Sequence, residues 1–347
     1  VKYKTWNVLI LIRYASRFTF NEFNFNVTPS EKIILVRLRI MKTLIIGSRR
    51  SPLAQAQTKL VRHMLLDAWD DLEVKIELID TQGDLNRRDP LPAIGGKGLF
   101  TVELEDALRC HRIDLAVHSL KDLPVEDSAG LTVVAVPERA PTQDLLVSRL
   151  AARLEDLPQA AVVGTSSLRR AAQILALRPD LQIKDIRGNV DTRLRKLDDS
   201  EQGYDAILLA QAGLYRLGRT DLEYAHPIPH AVVLPAPGQG ALGVQGRIDD
   251  PETGRYLQVL EHGPTRVAVS AERAFLAGLG GGCSIPVGAL GITINEEQLS
   301  LEGLVASPDG RQIVRVAGGA SPKEGERLGR QLAAEALARG AGNLLNS

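Results

Sequence analysis

The chain has 347 residues, 44% hydrophobic and 24% charged, with 42 Lys or Arg balancing 42 Asp or Glu. That length exceeds what one hydrophobic core serves, so two or three domains are expected, and no apolar run approaches the roughly 20 residues of a membrane span. With only two cysteines, Cys110 and Cys283, there is no disulfide framework, and a reducing, cytoplasmic setting is the simpler expectation.

The first forty residues stand apart. They hold seven of the fourteen aromatics, and seven Lys or Arg against two Glu. The remainder carries 35 basic and 40 acidic residues, a formal charge of −5, so its arginines are placed locally rather than spread as a basic surface. The run Val8 to Ile12 is shorter than a secretory apolar core of about 7–15 residues. A translated extension with no folded role is expected here; a transit peptide fits less well, given Glu22, Glu31 and little serine.

From Met41 onward short strands alternate with amphipathic helices. Thr43 to Gly47 reads as a buried strand. Ser51 then caps a helix with Pro52 at its first position and Leu53, Ala56, Leu60 and Met64 at helical spacing. Val74, Ile76 and Leu78 alternate with charged residues as a strand. Further strands are predicted at Leu115 to His118, Leu131 to Val136, Ala161 to Gly164, Leu181 to Ile186, Ala206 to Ala210 and Ala231 to Leu234. Such alternation argues for α/β domains with largely parallel sheets, whose ligands collect at the carboxyl ends of the strands. Beyond about His262 the pattern changes: a helix over 264–279, strands near 287–294, 298–306 and 312–316, and a helix over 322–339 predict a small α+β domain.

The loops carry the chemistry. LPAIGGKGLF, residues 91–100, suits a mobile flap; it is no P-loop, because no Ser or Thr follows its GK. In AVHSLKDLP, residues 116–124, a strand ends in His118, Ser119, Lys121 and Asp122. Asp122 is a candidate general acid or base there, and Lys121 a candidate anion contact or Schiff-base former. A Lys–Asp pair in a solvated turn is the plainer alternative, and His118 reads as a structural hydrogen-bonding residue. GTSSLRRAAQ, residues 164–173, is a strand, a turn and a helix capped by Ser166 or Ser167. Arg169 and Arg170 in its first turn oppose the helix dipole, a cost that a bound anion would relieve. RGNVDTR repeats the arrangement with Arg187 and Arg193. Nucleic-acid binding would also use arginines, but the acidic core and the scarcity of nearby aromatics count against it. In GLGGGCSIP, residues 278–286, Cys283 on a glycine run is a candidate covalent attachment point or nucleophile, against the commoner fate of a small buried residue; Cys110 takes the latter reading.

Taken in order, GSRRSPLA, GGKGLF, HSLKDLP, GTSSLRR, RGNVDTR, LPAPGQGA and GGGCS resemble the porphobilinogen deaminase (hydroxymethylbilane synthase) family from about Met41 to the C-terminus. Several are weak alone, but the set in this order and spacing is specific. The resemblance implies a dipyrromethane cofactor held by a thioether to Cys283. Asp122 matches the catalytic aspartate, which assists loss of ammonia and stabilises the cationic azafulvene that results. Arg49, Ser51, Lys121, Arg169, Arg170, Arg187, Arg193 and Arg216 match residues that bind acetate and propionate side chains of cofactor and substrate. Ser119, Thr165, Ser167, Asn189 and Gln239 match polar neighbours, and Lys97 and Phe100 fall in the family's mobile loop. No metal is implied. The reaction would add four porphobilinogen molecules to the cofactor with loss of ammonia, then release linear hydroxymethylbilane by hydrolysis, as a step of tetrapyrrole synthesis.

The fold implied is two α/β domains of the periplasmic-binding-protein type with a cleft between them, plus a small C-terminal α+β domain. The first would span 41–140 plus 240–260, the second 141–239 and the third 261–347. Crossings near Pro137 to Thr142 and Pro235 to Gln239 would form a hinge whose opening fits the cleft to a lengthening chain. A monomer without nucleic-acid or membrane partners is expected. Asp191, where the family often has glycine or asparagine, is expected to face solvent. A solute-binding protein of the same architecture and a Schiff-base lyase using Lys121 are the rival readings.

Overall fold

The computed structural model describes residues 41–81, 83, 101–281 and 286–345. Strand β1 (Lys42–Arg49) buries Leu44 and Ile46 and leads into α1 (Pro52–Ala68). Ser51 caps that helix as expected: its Oγ accepts from the Ala54 amide at 3.3 Å, and Pro52 occupies the first turn, where its missing N–H costs nothing. The buried face of α1 includes Ala54, Val61 and Leu65, at the spacing that places side chains on one side of a helix. Then come β2 (Leu72–Ile79), α2 (Val102–Arg109) and β3 (Leu115–Ser119). A single 3₁₀ turn, Leu120–Asp122, follows β3 directly, and β4 (Leu131–Ala135) comes next.

The chain then enters a second sheet through β5 (Asp144–Val147), β6 (Val162–Gly164), α3 (Leu168–Leu177), β7 (Gln182–Lys184), α4 (Val190–Asp198), β8 (Ala206–Ala210), α5 (Gln211–Arg216) and β9 (Ala225–Pro227). It returns to the first sheet as β10 (Leu242–Arg247), followed by α6 (Pro251–Leu257). The last elements are α7 (Gly263–Gly278), β11 (Val287–Thr293), β12 (Leu299–Ala306), β13 (Ile313–Ala320) and α8 (Gly325–Ala336).

Both five-stranded sheets share one plan. The first runs β2-β1-β3-β10-β4 and the second β7-β6-β8-β5-β9. In each, three neighbouring strands are parallel, and the strand that has just crossed from the other sheet, β10 or β5, inserts antiparallel to both its neighbours. This exchange of one strand across two connections is the α/β architecture of the periplasmic-binding-protein type. The third sheet, β11-β12-β13, is antiparallel and packs with α7 and α8 around Phe275, Leu301, Leu328 and Leu332.

Sequence and structure part at four strands, one of them the short β9, which no predicted strand covers. The predicted strand at 231–234 is irregular: the amides of Val232 and Val233 donate to Pro229 O, and Leu234 hydrogen-bonds the Gln173 and Arg169 side chains through its amide and carbonyl. Val233 and Leu234 are buried, but a turn and side chains rather than a ladder satisfy its backbone. Conversely, β5 and β10 escape the sequence pattern. DLLV is a four-residue run after Pro141 and Thr142, and LGVQGR holds two glycines, weak strand formers, yet is buried throughout.

Candidate active site

Strand β3 lies between β1 and β10, and its carboxyl end delivers Ser119 and then, through the 3₁₀ turn, Lys121 and Asp122. Gly238 fixes what lies over this turn. With φ of 75° it adopts a backbone shape that suits glycine, and a Cβ there would press on Leu120 and the Lys121 amide at 3.2–3.4 Å. Ser119 Oγ accepts from Gln57 Nε2 at 2.8 Å, which ties α1 to the strand end. Asp122 is exposed and Lys121 half-buried. Burial pushes the Lys121 ammonium down to about 8; Asp122 and Asp144 favour the charge, while Arg170 and Arg169 oppose it.

Opposite stands the amino end of α3. Ser167 is its cap, accepting from the Arg170 amide at 3.5 Å, and Thr165 Oγ1 accepts from the Ser167 amide at 3.1 Å. Arg169 and Arg170 are almost fully buried, at 5% and 6% exposure. Their counter-ion is internal. Asp144, the first residue of β5, is fully buried; its Oδ1 accepts from Arg170 Nε at 3.1 Å and Nη2 at 2.6 Å, and its Oδ2 lies 2.8 Å from Arg169 Nη2. The remaining arms of the forks donate to backbone, Arg169 Nη1 to Leu234 O at 2.7 Å and Arg170 Nη1 to Leu208 O at 2.9 Å. Burial would raise the Asp144 carboxyl, but Arg169 and Arg170 outweigh it and hold the group well below the usual carboxylate range. The relief of the helix dipole that the sequence assigned to a bound anion is thus supplied in part by the protein itself.

Gln239 joins the two sides. Fully buried on the second connection, it donates from Nε2 to Asp144 Oδ1 at 3.0 Å and Thr142 O at 2.7 Å, and accepts from Lys121 Nζ at 3.4 Å. Arg216, at the end of α5, donates to Gly240 O at 2.6 Å, while its buried Nε has no partner. Burial pushes this guanidinium down to about 10, and burial with Arg170 as neighbour does the same to Arg193. Asp122 and Asp185 favour the Arg193 charge, and Arg187 opposes it. Arg193 Nε donates to Gly188 O at 2.9 Å, Arg187 pairs with Asp185 at 3.2 Å, and Asn189 caps α4 by accepting from the Thr192 amide at 2.9 Å. Asp191 pairs with Arg219 at 2.9 Å, turned to a surface partner.

Arg49 ends β1, and its charge reaches His118. Burial pushes the His118 imidazole down to about 4, and its Nε2 lies 3.0 Å from Gln245 Oε1, the structural role expected of it. Ser51 serves as a helix cap. Lys97, Phe100 and Cys283 lie outside the described residues. Sequence reasoning missed Asp144, which sits in no recognisable motif; a signal for it was the unpaired charge of two adjacent arginines. Among the described residues no cluster of His, Cys, Asp and Glu could hold a metal, and no helix is long and apolar enough to cross a membrane.

Among the described residues, the buried Arg169 and Arg170 outnumber the one buried carboxylate here, Asp144, and the buried Arg216 Nε has no acceptor. Such a donor set fits a ligand rich in carboxylates, as a dipyrromethane with its acetate and propionate arms would be. Comparison with known proteins agrees. A family model described as "Porphobilinogen deaminase, dipyromethane cofactor binding domain" matches residues 44–255, and one described as "Porphobilinogen deaminase, C-terminal domain" matches 267–338. A porphobilinogen deaminase of Roseiflexus sp. is 50% identical over 304 residues, 88% of this chain and 99% of that protein. Those of Desulforudis audaxviator and Thermus thermophilus are 49% and 46% identical, each over 88% of this chain and over 97% and 99% of their own lengths. With its motifs, its exchanged-strand fold and these relatives in accord, the chain belongs to the porphobilinogen deaminase family.

Proposed function

We propose that this enzyme condenses four molecules of porphobilinogen, one at a time, onto a dipyrromethane anchored at Cys283 through a thioether, releases ammonia at each addition, and frees linear hydroxymethylbilane by hydrolysis. The observation that supports this reading is the turn after β3, which sets Asp122 next to Lys121, and Lys121 is linked through Gln239 and Asp144 to Arg169 and Arg170. The bound cofactor supplies a nucleophilic pyrrole carbon and the first carboxylates. Everything else falls to the chain's own residues.

Lys121, Arg193 and Arg216, with the N–H groups of Arg169 and Arg170 left over from their internal bonds, hold acetate and propionate arms; Arg49, Arg187, Ser51, Ser119, Thr165, Ser167, Asn189 and Gln239 complete or support the same cleft. Held in this way, the substrate's aminomethyl carbon is oriented toward the attacking carbon, and most of the entropic cost of meeting is met in binding. As the C–N bond breaks and ammonia leaves, positive charge spreads over the pyrrole, and the Asp122 carboxylate stabilises it more than it stabilises the neutral ground state. When the new C–C bond forms, the attacking carbon gives up its proton, for which Asp122 is the base at hand. Lys97 and Phe100, outside the described residues, are proposed as substrate-binding residues on the family resemblance alone.

The sheets support a division into 41–140 with 240–260, 141–239 and 261–347, with the connections 136–143 and 228–241 as a hinge. Incubation with porphobilinogen, with ammonia and linear product both quantified, tests the reading: four ammonia per product are expected. Tight binding without ammonia release would favour the solute-binding alternative. Borohydride trapping of substrate on Lys121 would favour the lyase.

A further inference from the structure

The contacts around Asp144 form one continuous line between the two halves of the site. Arg169 and Arg170 on α3 grip the carboxylate; the carboxylate accepts from Gln239 on the second connection; Gln239 accepts from Lys121 on the turn after β3. Asp144 itself opens β5, the strand that enters the second sheet from the first connection, and its carbonyl accepts from the Ile228 amide at 2.8 Å where the chain leaves β9. A single buried carboxylate therefore ties Arg169 and Arg170 to the second connection and, through Gln239, to Lys121. An ion pair needed only to stabilise the second sheet would have no reason to reach Gln239 and Lys121.

We infer that Asp144 is a positioning residue for the reaction, which fixes Arg169 and Arg170 as a pair and, through the Gln239 amide, sets the place and charge of Lys121 beside Asp122. The inference rests on the proposed function for its meaning but not for its test. Three consequences follow from the geometry. With one carboxylate shared by two guanidinium groups, the arginines keep a net positive charge for ligand while losing the freedom to swing. The Gln239 amide has a fixed polarity, its NH₂ toward Asp144 and its oxygen toward Lys121, so the carboxylate orients an acceptor at the ammonium. The groups that act on Lys121 are then Asp122 and Asp144 in favour of its charge, and Arg169 and Arg170 against it.

The test uses Asp144→Asn and Gln239→Met in the cofactor-loaded protein. The first keeps the shape and removes the charge. The second leaves the Arg–Asp pairs in place and removes the amide bridge, both its bonds to Asp144 and Thr142 and its link to Lys121. Trace acetylation of Lys121 against pH, read by peptide mass spectrometry, reports its titration midpoint without any turnover. Steady-state kinetics is measured beside it. The midpoint is expected to fall in both variants, because each removes a group that favours the ammonium, and kcat to fall by about 10- to 100-fold, as expected of a small misplacement in a site that works by orientation. A purely structural role would lower the melting temperature but leave the midpoint and the kcat of the folded fraction unchanged, and that result overturns the inference. If Asp144→Asn does not fold, Gln239→Met decides alone. An inactive wild-type chain would sink the functional reading, and a Lys121 midpoint that still moves in the variants would then keep only the link from Asp144 through Gln239 to Lys121.

Discussion

Lys121 and Asp122 are adjacent in sequence, yet burial treats them differently: the lysine is half-buried among arginines and the aspartate exposed. The exposed carboxylate has little to do with folding, so Asp122→Asn is predicted to lower kcat by about 10²- to 10⁴-fold, the range for loss of a positioned acid or base, with no change in melting temperature. A parallel loss of stability would mean the residue is structural. The lysine gives a pH signature. It is charged below about 8 and loses that charge as pH rises through this value, so the free enzyme's grip on carboxylates weakens and kcat/KM falls on the alkaline side. In Lys121→Arg, which stays charged, that limb should vanish; its persistence would assign it to another group. These residues were legible in the sequence because both sit in HSLKDLP, a polar cluster at the end of a strand-like run. Asp144 was not, because nothing in PTQDLLV separates it from a surface aspartate until the fold brings Arg169, Arg170 and Gln239 to it.

The same limit holds for the elements. Helices with caps and periodic apolar faces, α1 and α3 above all, are where the sequence puts them, and so are the parallel strands with apolar runs. The two exchanged strands were invisible: β10 is built from LGVQGR, whose glycines and arginine read as a loop, and its strand state is imposed by the neighbours β3 and β4. Where the local backbone is under demand, the sequence does signal it. Gly240, in the connection before β10, has φ of 84°, and a Cβ there would collide with Ala140 O. Gly240→Ala should therefore cost more than about 1 kcal/mol, both from the left-handed backbone and from the clash, and a thermal melt checks it. An unchanged melting temperature would show that the two connections are not held this closely.

Across the molecule, one buried ion pair gathers the parts. Arg139 on the first connection meets Glu272 of α7 through both guanidinium arms, at 2.7 and 3.0 Å, and donates from Nε to Gln239 O at 2.7 Å. Glu272, with no exposed surface, also accepts from the amides of Gly238 at 2.6 Å and Gly291 at 2.8 Å, so both connections and β11 converge on it. Glu272→Ala leaves Arg139 and two amides unsatisfied and is predicted to cost about 3–5 kcal/mol in denaturant unfolding; a loss under about 1 kcal/mol would contradict this reading. In the proposed function the chain carries its own cofactor and builds on it. The most direct measurement is the intact mass of the purified protein beside a Cys283→Ser variant, each also treated with Ehrlich's reagent. The account predicts a mass excess of one dipyrromethane and a positive colour in the first, both lost in the second. An unmodified mass in folded protein that has been exposed to porphobilinogen would contradict it.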